Sequence, residues 1–224
     1  VDDGKGISNT NIKKFKKFLD YVLENDNYLF SVRNDGSMKI LGKYFSDSKL
    51  EKVFVIPDGG FFIESGDYNH IELNKEKVNI GINLAGDMIS IRFGENYPEF
   101  CKKFGTFINQ IVAYNENINI VFIPHIYSDV EIISKVILHI KDEYRRNRIS
   151  IAPLLNGSLN GGNYIFSLYK ELDLILSMRF HSNVCAIAQN IPNIGLITYH
   201  KHGYLFDEIG LSDRALYVSN NEFF

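Results

Sequence analysis

Between residues 78 and 219, short apolar runs alternate with longer amphipathic segments, and this alternation limits the possible folds more than any other feature. Strand-like runs lie at 78–84, 118–123, 149–155, 174–179 and 194–198, with a sixth at 216–219. Residues 97–114 place Phe100, Phe104, Phe107, Ile108, Ile111 and Val112 on one face at helical spacing. Residues 128–146 do the same with Val130, Ile133, Ile137, Ile140 and Tyr144, predicting one long amphipathic helix. Shorter helices are predicted over 164–172, after a Gly-rich loop at 156–162, and over 183–189. Mostly apolar strands alternating with helices predict an α/β fold, a Rossmann-like parallel sheet with helices on both faces. Ligands of such sheets bind beyond the carboxyl ends of the strands, near the reversal of strand order. Asn83, His125, Arg179, His181 and Tyr199 stand at or after strand ends and are candidates for one rim on position alone.

The chain divides around this pattern. Residues 1–66 read as the C-terminal part of a first Rossmann-like domain. They contain a basic amphipathic helix at 11–25 with Phe15, Phe18, Leu19 and Val22 inward, strands at 28–33 and 53–57, and a helix at 37–45. Residues 67–77 are polar and read as a linker, and 78–224 form the second Rossmann-like domain. Ser219-Asn220-Asn221-Glu222 has the form of a capping box, which is expected to open a further helix, so the chain reads as part of a longer protein.

Several function classes are disfavoured by composition. The net charge is −3, and the one basic cluster, Arg145-Arg146-Asn147-Arg148, ends a predicted helix, where it offsets the helix dipole. No nucleic-acid partner is expected. Cys101 and Cys185 fall in helical patterns and read as buried small hydrophobes, which suits a reducing compartment. No Cys/His spacing suggests a metal, and no apolar run approaches the roughly 20 residues of a transmembrane helix. Gly81-Ile82-Asn83-Leu84-Ala85-Gly86 lacks the three-glycine spacing of a dinucleotide loop, so no nicotinamide or flavin cofactor is expected.

The chemistry concentrates in Ser177-Met178-Arg179-Phe180-His181-Ser182. A strand that turns into a helix through Arg-X-His-Ser puts a cation, an imidazole and a hydroxyl where free backbone N–H groups and the helix dipole favour an anion. The plainer reading pairs Arg179 with a carboxylate and leaves His181 as a cap. A second corner of this kind is Ser31-Val32-Arg33-Asn34-Asp35-Gly36-Ser37. His125 ends a strand in Phe122-Ile123-Pro124-His125, and Tyr199-His200-Lys201-His202 follows another. His200 and His202 read as surface residues.

This arrangement resembles the polysaccharide pyruvyl transferase family. The matching residues are Asp173-Leu174, then Ser177 to Ser182, Ile191-Pro192, Tyr199 with Lys201, and Ile209-Gly210-Leu211. The family shows S-V-R-D-x-x-S followed by D-P-x-F. Here Asn34 replaces an acid, and Asp58-Gly59-Gly60-Phe61 carries glycine in place of proline.

The resemblance implies a two-domain, GT-B-like architecture of which this chain holds the second half. It implies transfer of a pyruvyl group from phosphoenolpyruvate to two hydroxyls of one sugar, forming a cyclic ketal. The acceptor would be a sugar or oligosaccharide of a cell-surface polysaccharide or its precursor, free or lipid-linked. The activity would be cytoplasmic or peripheral to the inner face of the membrane, with phosphoenolpyruvate as donor and no other cofactor. His181 and His125 would handle protons. Arg179 and Arg33 would hold the donor's anionic groups, with Phe180, Ser182, Tyr199 and Lys201 completing the binding site. Two other readings stay open: a glycosyltransferase with a nucleotide-sugar donor, for which Asp207 and Glu208 are possible ribose ligands, and a non-catalytic sugar-binding subunit.

Overall fold

The computed structural model describes residues 8–64, 66, 72–155 and 161–218. Residues 67–71 of the predicted linker, residues 156–160 of the Gly-rich loop, and the capping box at 219–222 lie outside the described residues. The strands are β1 (Ser31–Arg33), β2 (Phe54–Ile56), β3 (Val78–Asn83), β4 (Ile118–Phe122), β5 (Ile149–Ile151), β6 (Leu174–Ser177), β7 (Asn193–Ile197) and β8 (Ala215–Tyr217). The helices are α1 (Asn9–Leu23), α2 (Ser37–Leu41), α3 (Asp47–Leu50), α4 (Ile89–Arg92), α5 (Tyr97–Tyr114), α6 (Tyr127–Ile137), α7 (Asp142–Asn147), α8 (Gly161–Tyr169), α9 (Phe180–Ala188) and α10 (His200–Glu208).

β3 to β8 form one six-stranded parallel sheet in the order β5-β4-β3-β6-β7-β8. The chain runs outward from β3 through β4 to β5, then returns to β6 on the other side of β3. The reversal of strand order therefore falls between β3 and β6, where a doubly wound sheet opens a crevice at its carboxyl edge. Asn83 pairs in register with Ser177 at that point.

Alternation along the strands feeds two cores. Ile80, Ile82, Ile120, Phe122 and Leu176 pack with Phe100, Phe104 and Ile108 of α5 and Ile132, Ile133 and Val136 of α6. Val121, Ile123 and Ile175 pack on the opposite side with Leu168 and Tyr169 of α8 and Cys185 and Ala186 of α9. A sheet covered on both faces is the physical reason that its strands read as near-continuous apolar runs.

The segment predicted as one helix over 128–146 is two, α6 and α7. Asn109 of α5 accounts for the break. Its side chain donates to His139 O (3.0 Å) and accepts from Lys141 N (2.9 Å), satisfying backbone groups that a continuous helix would pair internally. The register shifts accordingly: Ile132 and Val136 are buried, whereas Val130 is exposed. In α1, Leu19 and Val22 are inward as expected, but Phe18 is half exposed beside Phe15 and Phe30. Arg145 and Arg146 pair with Asp142 of their own helix, and Arg148 donates to backbone carbonyls, so the basic cluster is structural.

Residues 8–64 contain a separate two-stranded parallel sheet, β1 beside β2. Leu19, Phe45 and Val53 form its core. A short 3-10 turn, Gly59–Phe62, follows β2 and lies against α9.

Phe104 is fully buried between α5 and the sheet, whereas Tyr114 at the end of the same helix is 90% exposed. Phe104→Ala is expected to cost about 3–5 kcal/mol in urea unfolding, through lost transfer energy and the cavity left behind. Tyr114→Ala should stay within about 0.5 kcal/mol.

Candidate functional site

β6 ends at Ser177, and α9 begins at Phe180 with Arg179 as its N-cap. The helix thus starts earlier than the predicted 183, and Ser182 is its third residue rather than its cap. Asn183 explains the early start, since its side chain donates to Arg179 O (3.0 Å) and reaches Ser177 O (3.3 Å). Four consecutive residues then leave this turn in four directions.

Arg179 turns towards the switch point. Its Nε donates to Asp129 (2.8 Å), and its Nη2 reaches Asp129 and Asp87. The Asp129 side chain is fully buried and also accepts from the backbone N–H of Gly86, His125 and Ile126. Burial alone would raise the Asp129 pKa, but Arg179 and those N–H groups hold it below the usual carboxylate range. Arg92 joins this group through Thr198 (2.7 Å) and Asp87 (3.4 Å). Two guanidinium groups face two carboxylates, so the cluster is internally neutral. The Arg179 side chain, expected to hold the donor's anionic groups, is 15% exposed and committed to a buried acid.

Phe180 is buried and serves as a platform. The guanidinium of Arg33 lies 4.6 Å from its ring centroid and Lys201 Nζ lies 5.2 Å from it. Both cations also grip Asp35, Arg33 through Nε (3.0 Å) and Nη2 (2.9 Å), and Lys201 at 2.9 Å. Burial would raise the Asp35 pKa, but hydrogen bonds from Ser37, Lys201 and Arg33 take it down to about 2. Arg33 and Lys201 keep about a third of their side chains exposed.

His181 points outward, 63% exposed, with Nε2 3.5 Å from Asp58 Oδ2. Asp58 accepts from Arg33 Nη1 (2.5 Å) and from Gly60 N (2.8 Å). Ser182 points inward, fully buried, and its hydroxyl meets that of Tyr169, which in turn lies 3.1 Å from His125 Nε2. Ser182 is therefore a link in the packing rather than a group open to a ligand, correcting its assignment as a binding residue. Burial pushes the His125 pKa down to about 4, against the pull of Asp129, so the ring is neutral near pH 7 and engaged by Tyr169. Tyr199 is the N-cap residue of α10; its ring lies against that of His202, and its carbonyl accepts from His202 N (3.0 Å).

Arg179, His125 and Ser182 thus belong to one connected network at the switch point. Arg33, Phe180, His181 and Lys201 belong to another, formed where the carboxyl edges of the two sheets meet. The second group depends on Asp35 and Asp58, which sequence reasoning did not single out. Their signal was position, since each follows a strand end, and for Asp58 also its place in the family's D-P-x-F segment. His202, expected at the surface, is buried against Phe180, because α10 turns His202, Leu205 and Phe206 inward at helical spacing. Burial, with Arg92 and Lys201 nearby, lowers its pKa to about 3.

Two glycines make the junction possible. Gly36 sits at φ +83°, and a Cβ there would stand 2.2 Å from the Tyr204 ring. Its N–H donates to Glu208 (2.9 Å), so Glu208 secures the junction. Asp207 accepts from Ser212. A Cβ on Gly60 would press on Val184 and on Asp58 itself.

A doubly wound parallel sheet with an ionic cluster at its switch point defines the class: an α/β protein with charged side chains gathered at the carboxyl edge of its strands. Residues 4–201 match the family model described as polysaccharide pyruvyl transferase, and the chain belongs to that family. No curated protein matches the chain by sequence. Among solved structures, it is similar to a putative UDP-N-acetylglucosamine 2-epimerase from Listeria monocytogenes, at 13% identity and a TM-score of 0.36. That match covers 62% of this chain and 39% of the other, so the chain spans about two fifths of that structure's length.

Two predictions follow from the site's burial and backbone. His125 and His202 have pKa values lowered on folding, so the unfolded chain binds protons more tightly than the folded one. Their contribution to stability is complete above the unfolded value of about 6.5 and is lost as pH falls towards 4. The unfolding free energy from urea titrations should therefore drop across that window, by up to about 1.4 kcal/mol per pH unit for each ring. A flat profile would show that both rings charge in place. At Gly59 a Cβ meets nothing within 4 Å, and Asp58 before it is extended at φ −60°, ψ 141°. Gly59→Pro, which restores the family's Asp-Pro, should raise stability by about 0.4–1 kcal/mol.

Proposed function

We propose that this chain contributes to a transferase that moves the pyruvyl group of phosphoenolpyruvate onto two hydroxyls of one sugar, giving a cyclic ketal and phosphate. The acceptor is a sugar of a cell-surface polysaccharide or of its precursor, free or lipid-linked. The observation that carries the reading is family membership across residues 4–201, together with exposed His181 beside a platform flanked by two cations. No helix among the described residues is long and apolar enough to cross a membrane. We place the activity in the cytoplasm or at the inner face of the membrane.

In this reading, residues 1–66 complete a first Rossmann-like domain, residues 67–77 link it to the second, and the two halves face each other in a GT-B-like arrangement. The donor lies at their junction. A guanidinium carries five N–H donors and an ammonium three. Arg33 engages Asp35 and Asp58 through three N–H groups, and Lys201 engages Asp35. The remaining donors of both side chains are available to the carboxylate and phosphate oxygens of phosphoenolpyruvate. Arg179, neutralised by Asp129 and Asp87, supports the turn from behind, while Tyr199 borders the acceptor side.

The chemistry needs a proton on the methylene carbon of the enol, which develops positive charge at the neighbouring carbon. One sugar hydroxyl adds to that carbon, phosphate departs, and the second hydroxyl closes the ring. Of the two hydroxyl protons released, one balances the proton taken up by the methylene and the other leaves with phosphate. His181 is the exposed group on the turn able to give and take such protons. His125, neutral and bound to Tyr169, is the second histidine of the site and orients the network behind it.

The test is phosphate release from phosphoenolpyruvate by the full-length protein in the presence of candidate acceptor sugars. His181→Asn should lower kcat by roughly 10²–10⁴-fold with little change in KM for phosphoenolpyruvate. Arg33→Ala and Lys201→Ala should mainly weaken donor binding. Full turnover in His181→Asn would remove His181 from the chemistry. Tight binding of a nucleotide sugar, with no response to phosphoenolpyruvate, would replace this reading with glycosyl transfer.

A further inference from the structure

The imidazole of His181 is the most exposed group of its turn, yet it stands against an acid that is almost wholly buried. The Asp58 side chain is 5% exposed and fixed on every side. Its Oδ1 accepts from Gly60 N, its Oδ2 accepts from Arg33 Nη1, and its own N–H donates to Asn34 Oδ1 at 3.0 Å. Asp58 Oδ2 lies 3.5 Å from His181 Nε2, and the Phe180 ring stands 5.5 Å away at 86° to the imidazole. An exposed imidazole would otherwise sample several rotamers and both neutral tautomers.

We propose that Asp58 is a positioning residue: it holds His181 by Nε2–H, so that the lone pair of Nδ1 faces the reacting atoms and takes up and passes on the transferred proton. The inference rests on the pyruvyl-transfer reading but assigns a role to a residue outside it. Burial would raise the Asp58 pKa, whereas the Gly60 N–H, His181 and Arg33 lower it overall, so the carboxylate remains an acceptor near neutral pH. The nitrogen of a neutral imidazole that keeps its proton is set by the hydrogen bond that the ring makes. A carboxylate can only accept and therefore selects Nε2–H. An asparagine at 58 can keep its oxygen on Gly60 N and turn its amide NH₂ towards the ring, which favours the opposite tautomer.

The experiment combines a spectroscopic and a kinetic arm on the full-length protein. Nitrogen-15 NMR of labelled histidine at mildly alkaline pH should report Nε2–H for His181 in the wild type. In Asp58→Asn the population should shift towards Nδ1–H. In the kinetic arm, Asp58→Asn should lower kcat by roughly 10–100-fold, with KM for phosphoenolpyruvate changed less than kcat. In a His181→Asn background the same substitution should cost less than about threefold, because both residues act in one unit. Asp58→Glu, which keeps the charge and moves it by one methylene, is the second variant should Asp58→Asn fail to fold. It should lower kcat more than KM and lose that effect in the His181→Asn background. An unchanged tautomer in Asp58→Asn, or losses that multiply in the double variant, would overturn the inference. Absence of turnover in the wild type would instead count against pyruvyl transfer, and the tautomer measurement would still decide whether Asp58 holds His181.

Discussion

The Asp129 carboxylate is the contact on which the carboxyl edge of the large sheet depends. It is fully buried, and it gathers Gly86 N–H beyond β3, His125 and Ile126 N–H beyond β4, and the Arg179 guanidinium beyond β6. A buried carboxylate without partners would be costly, so each of these bonds is also a constraint on a strand end. Asn83 adds a second clasp in the same place, donating to Ile123 O and accepting from Arg179 N. Together they fix the turn between β6 and α9, and that turn sets the direction of every side chain from Arg179 to Ser182.

This division of labour explains why one short motif carries both scaffold and chemistry. Arg179 and Ser182 face inward and are consumed by Asp129 and Tyr169. Phe180 and His181 face the small sheet, where Arg33, Asp35, Asp58 and Lys201 meet them. Both ionic groups contain as many carboxylates as strong cations, so neither leaves a bare positive charge in a poorly solvated place. What distinguishes the second group is exposure. Arg33 and Lys201 retain donors on the solvent side, whereas Arg179 is largely buried and committed to Asp129 and Asp87.

The strand and helix pattern was legible wherever one element packed against the sheet by itself. The helix at 97–114 was read with its final bounds because its apolar stripe is uninterrupted. The segment at 128–146 misled because its apolar spacing continues through a break that Asn109 of a different helix imposes. His202 was misread for a related reason: in isolation Tyr-His-Lys-His is polar, and only the inward face of α10 makes it core. Asp35, and Asp58 despite its place in the family's D-P-x-F segment, were given no role in the site, because what an acid after a strand end does depends on a cation that only the fold supplies.

The sequence by itself determined that the second part of this chain is a parallel α/β sheet, and that Arg33, Phe180, His181 and Lys201 each lie at or shortly after a strand end. Periodicity and turn chemistry are local, and local pattern suffices for that. The tertiary structure decided which charges neutralise which: Arg33 with Asp58 across 25 residues, Arg179 with Asp129 across 50, and the Gly36 N–H with Glu208 across 172. Those pairings follow from the order in which strands assemble and from the burial this imposes. The same burial turned Arg179 and Ser182 inward, and left His181 in solvent with a fixed carboxylate behind it.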